Sequence, residues 1–96
     1  MTLQLCVLLW ANDGHERALT EYEDAVLELV PTHGGRVVSR VRRLGSGDGP
    51  LEVQVIHMPD DIALQAYMTD PERLALADAH RLAVARTEVM TVETLV

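Results

Sequence analysis

The sequence predicts an α+β fold with the element order β-α-β-β-α-β. Three observations predict it. Leu3, Leu5, Val7 and Leu9 alternate with Gln4, Cys6, Leu8 and Trp10, and Glu52 and Gln54 alternate with Leu51, Val53 and Val55. That period of two belongs to strands. Ala18, Leu19, Tyr22, Ala25, Val26, Leu29 and Val30 recur at helical spacing between them. Met58-Pro59-Asp60-Asp61 then turns the chain sharply into a second, longer helical stretch.

Each element can be justified in order. Thr2–Ala11 is a strand with two largely apolar faces, so both need a cover. Asn12-Asp13-Gly14 ends it and offers a cap to the next helix, His15–Val30. Glu16, Glu21, Glu23, Asp24 and Glu28 fill the remainder of that helix as its solvated face. Pro31 and His33-Gly34-Gly35 close it, glycine supplying the left-handed exit. Arg36–Leu44 is a second strand, with Val37 and Val41 on one side and Val38, Arg40 and Arg42 on the other. The run Gly45–Pro50 is a hairpin connection and lacks the ending of a phosphate-binding loop. Strand three runs from Leu51 to Met58. Asp60 or Asp61 caps a helix over 61–68. Thr69-Asp70-Pro71-Glu72 starts it again, because a capping carboxylate precedes a proline at the first helical position. The second piece runs to Ala85, and Glu88–Val96 is the last strand.

Residues 1–96 are too few for more than one domain, and no linker divides them. The composition, 48% apolar and 24% charged, is that of a folded chain. A net charge of −7 argues against nucleic acid or an anionic membrane as partner. All basic residues are arginine, a compositional bias. The lone Cys6 has no internal disulfide partner, which fits a reducing, cytoplasmic setting. The apolar start is too short to span a bilayer and lacks the charged opening of a signal peptide.

Two βαβ-type halves in this order give a ferredoxin-like sandwich, four antiparallel strands with two helices on one face. The second helix is broken near Asp70-Pro71. The face without helices carries Cys6, Leu8, Trp10 and Ile56, and a second copy laid sheet to sheet covers it. The expectation is therefore a homodimer.

Three pieces of sequence resemble the dimeric α+β barrel superfamily, and within it a small uncharacterised branch. They are Pro31-Thr32-His33-Gly34-Gly35-Arg36, Val55-Ile56-His57-Met58-Pro59-Asp60 and Ala66-Tyr67-Met68-Thr69-Asp70-Pro71-Glu72. The chain departs from that branch at His57 and Met58, where a glutamate and a phenylalanine are usual, and at Arg73, where an aromatic is usual. The resemblance implies a ferredoxin-like dimer. A neighbouring branch holds cofactor-independent monooxygenases of antibiotic biosynthesis, others isomerases and haem-degrading enzymes, in which a histidine placed like His80 could ligate iron.

The candidate chemistry is sparse. His57, at the end of strand three beside Asp60 and Asp61, is the expected catalytic base. Trp10 and Tyr67 are the expected flat walls for a ligand, with Asn12 as a hydrogen-bond donor. These four are expected at one mouth, on the reasoning that strands one and three run parallel with their carboxyl ends together. His33 reads as a helix-terminal residue, and His80 as a solvent-facing one. Four histidines without ligand spacing predict no metal, and no cofactor is expected. The arginines of Arg36–Arg43 either hold an anion or blunt an edge strand. The expected function is a cofactor-independent monooxygenase or isomerase acting on a small planar apolar substrate; the alternative is a non-catalytic binding or scaffold module.

Overall fold

A computed structural model describes residues 2–95. Met1, and Val96 at the end of the expected last strand, lie outside the described residues. The elements are β1 (Leu3–Ala11), α1 (Glu16–Leu27), β2 (Arg36–Arg42), β3 (Glu52–Met58), α2 (Asp61–Met68), α3 (Pro71–Leu74), α4 (Ala77–Ala83) and β4 (Val84–Thr91). A single 3₁₀ turn, Pro31–His33, separates α1 from β2. The strands form one sheet in the order β2-β3-β1-β4, and every neighbouring pair is antiparallel.

The caps of α2 and α3 fall where the sequence places them, whereas α1 has no side-chain cap from Asn12-Asp13-Gly14. Asp60 accepts from the Ala63 N–H at 2.8 Å, and Asp70 accepts from the Glu72 N–H at 2.8 Å. Asp70 also meets the His33 ring at 2.7 Å, and the two side chains are mostly buried. His33 is thus a clasp between the end of α1 and the break before α3. The His33 bond and then the Glu72 N–H hold the Asp70 carboxyl below the usual carboxylate range. Gly34 takes the left-handed conformation at the turn's exit, with φ of 80°.

Leu5 and Leu9 of β1, Ile56 and Met58 of β3, and Leu19, Tyr22, Val26 and Val30 from helix α1 and the residues after it are buried between sheet and helices. Two apolar clusters form there. One joins Leu27, Val30, Ile56, Met58 and Tyr67; the other joins Leu9, Leu19, Leu51 and Ala83. They lie toward opposite ends of β1, and Val7 opposite Gln54 marks the middle.

Five expectations are corrected. First, β1 and β3 are antiparallel, pairing Leu3 with Met58 and Leu9 with Glu52, so their carboxyl ends lie at opposite ends of the sheet. Second, Ile56 pairs with Leu5 and faces the helices; Val53 and Val55 share the outer face with Leu8 and Cys6. Third, an irregularity between Val37 and Ser39 inverts the rest of β2, putting Arg40 beside Gln54 on the helix side and Val41 beside Val53 on the other. Fourth, β4 begins at Val84, where an extension of the helix is expected; pairing of 84–87 with Ala11, Trp10 and Leu9 overrides helical propensity. Fifth, Glu23 is not on a solvated face but only 6% exposed, within the stripe of Leu19, Tyr22, Val26 and Leu27.

Candidate active site

A cavity of about 290 Å³ opens between the sheet and the helices. Its floor is Leu5, Val7, Ile56 and Met58, and Tyr67 and Leu64 of α2 flank it. The volume is at the lower end of small-molecule pockets. All three pieces of the broken second helix contribute to the cavity's lining: Leu64 and Tyr67 from α2, Arg73 from α3 and His80 from α4. Tyr67 is buried, and its hydroxyl donates to the Val26 carbonyl at 3.2 Å, which fixes the ring against the cavity.

Polar groups converge on this apolar space from four elements. Glu23 comes from α1, Gln54 from β3, Arg73 from α3 and His80 from α4. The Gln54 amide nitrogen donates to Glu23 at 2.8 Å and reaches Glu52 at 3.2 Å. Burial pushes the Glu23 carboxyl up from its usual range, opposed by the Gln54 bond. Glu52 is held by Arg40, whose Nε and Nη2 donate to the two carboxylate oxygens at 2.7 and 3.0 Å. Arg40 also donates to Asp24 at 2.6 Å and to the Thr20 carbonyl at 3.2 Å. The Arg73 guanidinium lies 5.1 Å from the centre of the Tyr67 ring, and its Nε is buried without a hydrogen-bond partner. His80 is exposed at the mouth and meets Tyr22 edge-on at 5.3 Å. Burial pushes the hydroxyls of Tyr22 and Tyr67 up as well, so both are neutral donors at neutral pH.

The four expected site residues do not share a mouth. Tyr67 lines the cavity. His57 pairs with Gln4 and projects to the outer face. Trp10 lies about 20 Å from it along the strands. The Trp10 indole N–H donates to the Asp48 carbonyl at 2.9 Å, with Arg86 stacked 4.5 Å from the ring centre. Trp10 therefore fastens the β2–β3 hairpin. The Asn12 side chain donates to the Leu82 and Arg81 carbonyls at 2.9 and 3.3 Å, closing the end of α4, and only its backbone carbonyl serves the start of α1, accepting from the His15 N–H at 2.9 Å.

Sequence reasoning missed Glu23, Gln54 and Arg73, and read His80 as solvent-facing, which it is, without placing it at a cavity. A signal existed for two of them. Glu23 lies four residues after Leu19 and three before Val26, inside the apolar stripe. Gln54 shares its strand side with Ile56 and Met58. A larger groove of about 720 Å³ runs beside the hairpin near Arg17, Glu21 and Arg42, but it is wide open. There Arg17 pairs with Glu21, and Arg43 ties down the loop through the Gly47 and Gly49 carbonyls. Among the described residues no helix is long and apolar enough to cross a membrane.

The architecture recurs in solved structures. PA3566 from Pseudomonas aeruginosa superposes with a TM-score of 0.75 at 18% identity, over 99% of this chain and 95% of that one. A dimeric protein of unknown function and ferredoxin-like fold from Bacteroides fragilis gives 0.72 at 12%, over 97% and 96%. The chain has the ferredoxin-like fold. A dabb family protein with a ferredoxin-like fold from Mesorhizobium loti gives 0.66 at 14%, over 98% and 97%. At these identities the likeness is one of backbone. No protein-family model and no curated protein matches the chain.

Proposed function

We propose that this single-domain chain is a small-molecule enzyme that takes a flat, largely apolar substrate into the cavity between sheet and helices. The observation that carries the reading is the cavity itself, an apolar floor walled by Tyr67 with a few polar groups converging on it. Of the reactions the resemblance implies, isomerisation by proton transfer suits it better than oxygenation of a bound substrate. Carboxyl and imidazole groups that carry protons stand at the cavity in Glu23 and His80. The site moves accordingly from Trp10, Asn12 and His57 to the helix side of the sheet. Titration with small aromatic acids, followed by NMR, will shift the resonances of Tyr67, Met58 and Val89, with those of His57 and Trp10 unmoved. Tyr67→Ala will weaken that binding by about 1 kcal/mol, roughly fivefold. Shifts confined to the outer face, or none at all, would favour the non-catalytic scaffold.

Two copies are proposed to pack through the outer face of the sheet. That face carries Leu8, Cys6, Val53 and Val55, with Val41 at 59% and Met90 at 51% exposure. The Bacteroides fragilis neighbour is described as dimeric, which supports the reading. Burying each large apolar side chain contributes roughly 1.5–3 kcal/mol. Leu8→Asp is expected to give a folded monomer by light scattering where the parent chain runs at twice its own mass. A parent chain that is monomeric at micromolar concentration would refute the interface. Cys6 on this face fits a reducing compartment, taken here as the cytoplasm.

A further inference from the structure

We propose that Glu23 is the proton-transferring residue of this cavity, that Gln54 positions it, and that the substrate is a small flat carbon acid whose enolate oxygen lodges against Arg73. The proposal rests on the reading of the cavity as a ligand site and goes beyond it by naming the base, the reacting bond and the charge acceptor.

The geometry separates two buried carboxylates that share one amide. Gln54 stands between Glu23 and Glu52, its nitrogen 2.8 Å from one and 3.2 Å from the other. Glu52 is matched by the two-pronged Arg40, and Asp24 fastens that arginine from outside. Its charge is therefore committed to structure. Glu23 makes no ion pair among the described residues, and it is the one carboxyl that lines the cavity. The Gln54 amide fixes the plane of the Glu23 carboxyl while leaving its other oxygen unengaged. Across the same space Arg73 holds a buried Nε with no partner and makes no ion pair among the described residues. The Nε itself is covered, but the guanidinium lines the cavity with no carboxylate partner, and such a cation at a cavity wall is a place for a ligand oxygen.

The chemistry balances without a further reagent. The Glu23 carboxylate takes a proton from the carbon next to a carbonyl. The electron pair of that C–H bond becomes a carbon–carbon double bond, and the carbonyl electrons move to oxygen, giving an enolate. Arg73 carries the developing negative charge. Glu23 then returns the proton to the same carbon, or to the far carbon of a conjugated enolate, which shifts the double bond. Burial makes Glu23 a stronger base than a free carboxylate. The charged and titratable groups that face it are Glu52 from β3, Arg40 from β2, Asp24 and Tyr22 from α1, Tyr67 from α2, Arg73 from α3 and His80 from α4.

The test uses the full chain and β-tetralone, a flat bicyclic ketone with acidic α-hydrogens. Binding is followed by NMR shifts, and exchange of the α-hydrogens is followed by proton NMR in heavy water. The parent protein is expected to accelerate exchange above buffer. Glu23→Gln is expected to slow it by about 100-fold while binding is retained. Glu23→Asp keeps the charge but withdraws it from the cavity, so it slows exchange too and covers the case in which Glu23→Gln fails to fold. Gln54→Ala removes a donor to the carboxylate, so the midpoint of the pH profile is expected to rise; an unmoved midpoint would remove Gln54 from its positioning role. Arg73→Leu slows exchange, and His57→Ala leaves it unchanged. Binding without exchange, or exchange indifferent to Glu23→Gln and Glu23→Asp, overturns this proposal and leaves the ligand cavity standing. Absence of binding to the parent chain removes both.

Discussion

Arg40→Leu will lower the stability of the fold by about 3–5 kcal/mol. The loss does not measure the worth of an ion pair. It measures what Glu52 experiences when its partner goes. Glu52 is 1% exposed, and both of its oxygens face the Arg40 guanidinium at 2.7 and 3.0 Å. Without Arg40 that carboxylate must stay charged in an apolar layer or take up a proton, and either is costly. Asp24 is largely solvated and suffers little. The double variant Arg40→Leu with Glu52→Leu is therefore expected to regain most of the lost stability, because two apolar groups replace a buried pair and Gln54 keeps its bond to Glu23. Urea unfolding midpoints of the two variants decide the matter. A single variant that loses less than about 1 kcal/mol would place Arg40 among ordinary surface arginines.

Arg40 also shows where a sequence reading stops. Nothing in the alternation of 36–42 announces the irregularity between Val37 and Ser39, and that irregularity turns Arg40 inward. The local signals were legible. Asp60 and Asp70 cap their helices, Pro71 restarts the second one, and Gly34 exits to the left-handed region. Each depends on a few neighbouring residues, so a short stretch contains the answer. Strand direction does not. Whether β1 and β3 run parallel is set by the connections across the whole chain, and the candidate mouth at Trp10, Asn12 and His57 depended on it. Tyr67 is buried on α2, whose start Asp60 caps, so its placement depends on local signals and not on strand direction. Glu23 is legible in its spacing, although its charge suggests a solvated face. A glutamate inside an apolar stripe is the informative exception, since acidic residues are almost never buried unless something holds them.

Gly35→Ala will be the most damaging of the glycine substitutions. A Cβ at Gly35 would stand 2.5 Å from the His57 carbonyl oxygen, 2.6 Å from the Met58 sulfur and 2.9 Å from a Val30 methyl. The first of these is backbone of β3, which is paired on both sides and cannot retreat alone. Relief requires either β2 to pull away or β3 to move as a unit, and overpacking of this kind costs about 1–3 kcal/mol. Gly14→Ala provides the comparison. Gly14 has φ of 79° but open space around it, so it loses only the left-handed backbone preference, about 1–2 kcal/mol. Chemical unfolding of the two variants separates backbone conformation from close approach. The Gly35 variant carries a second expected effect. Met58 and Gln54 lie on the cavity side of the same strand, so a displaced β3 narrows the floor and moves the amide that holds Glu23. Ligand binding in the cavity is expected to fall with Gly35→Ala and to persist in Gly14→Ala. Equal stability loss in the two, with binding intact, would show that β3 yields at His57 without disturbing the site beneath it.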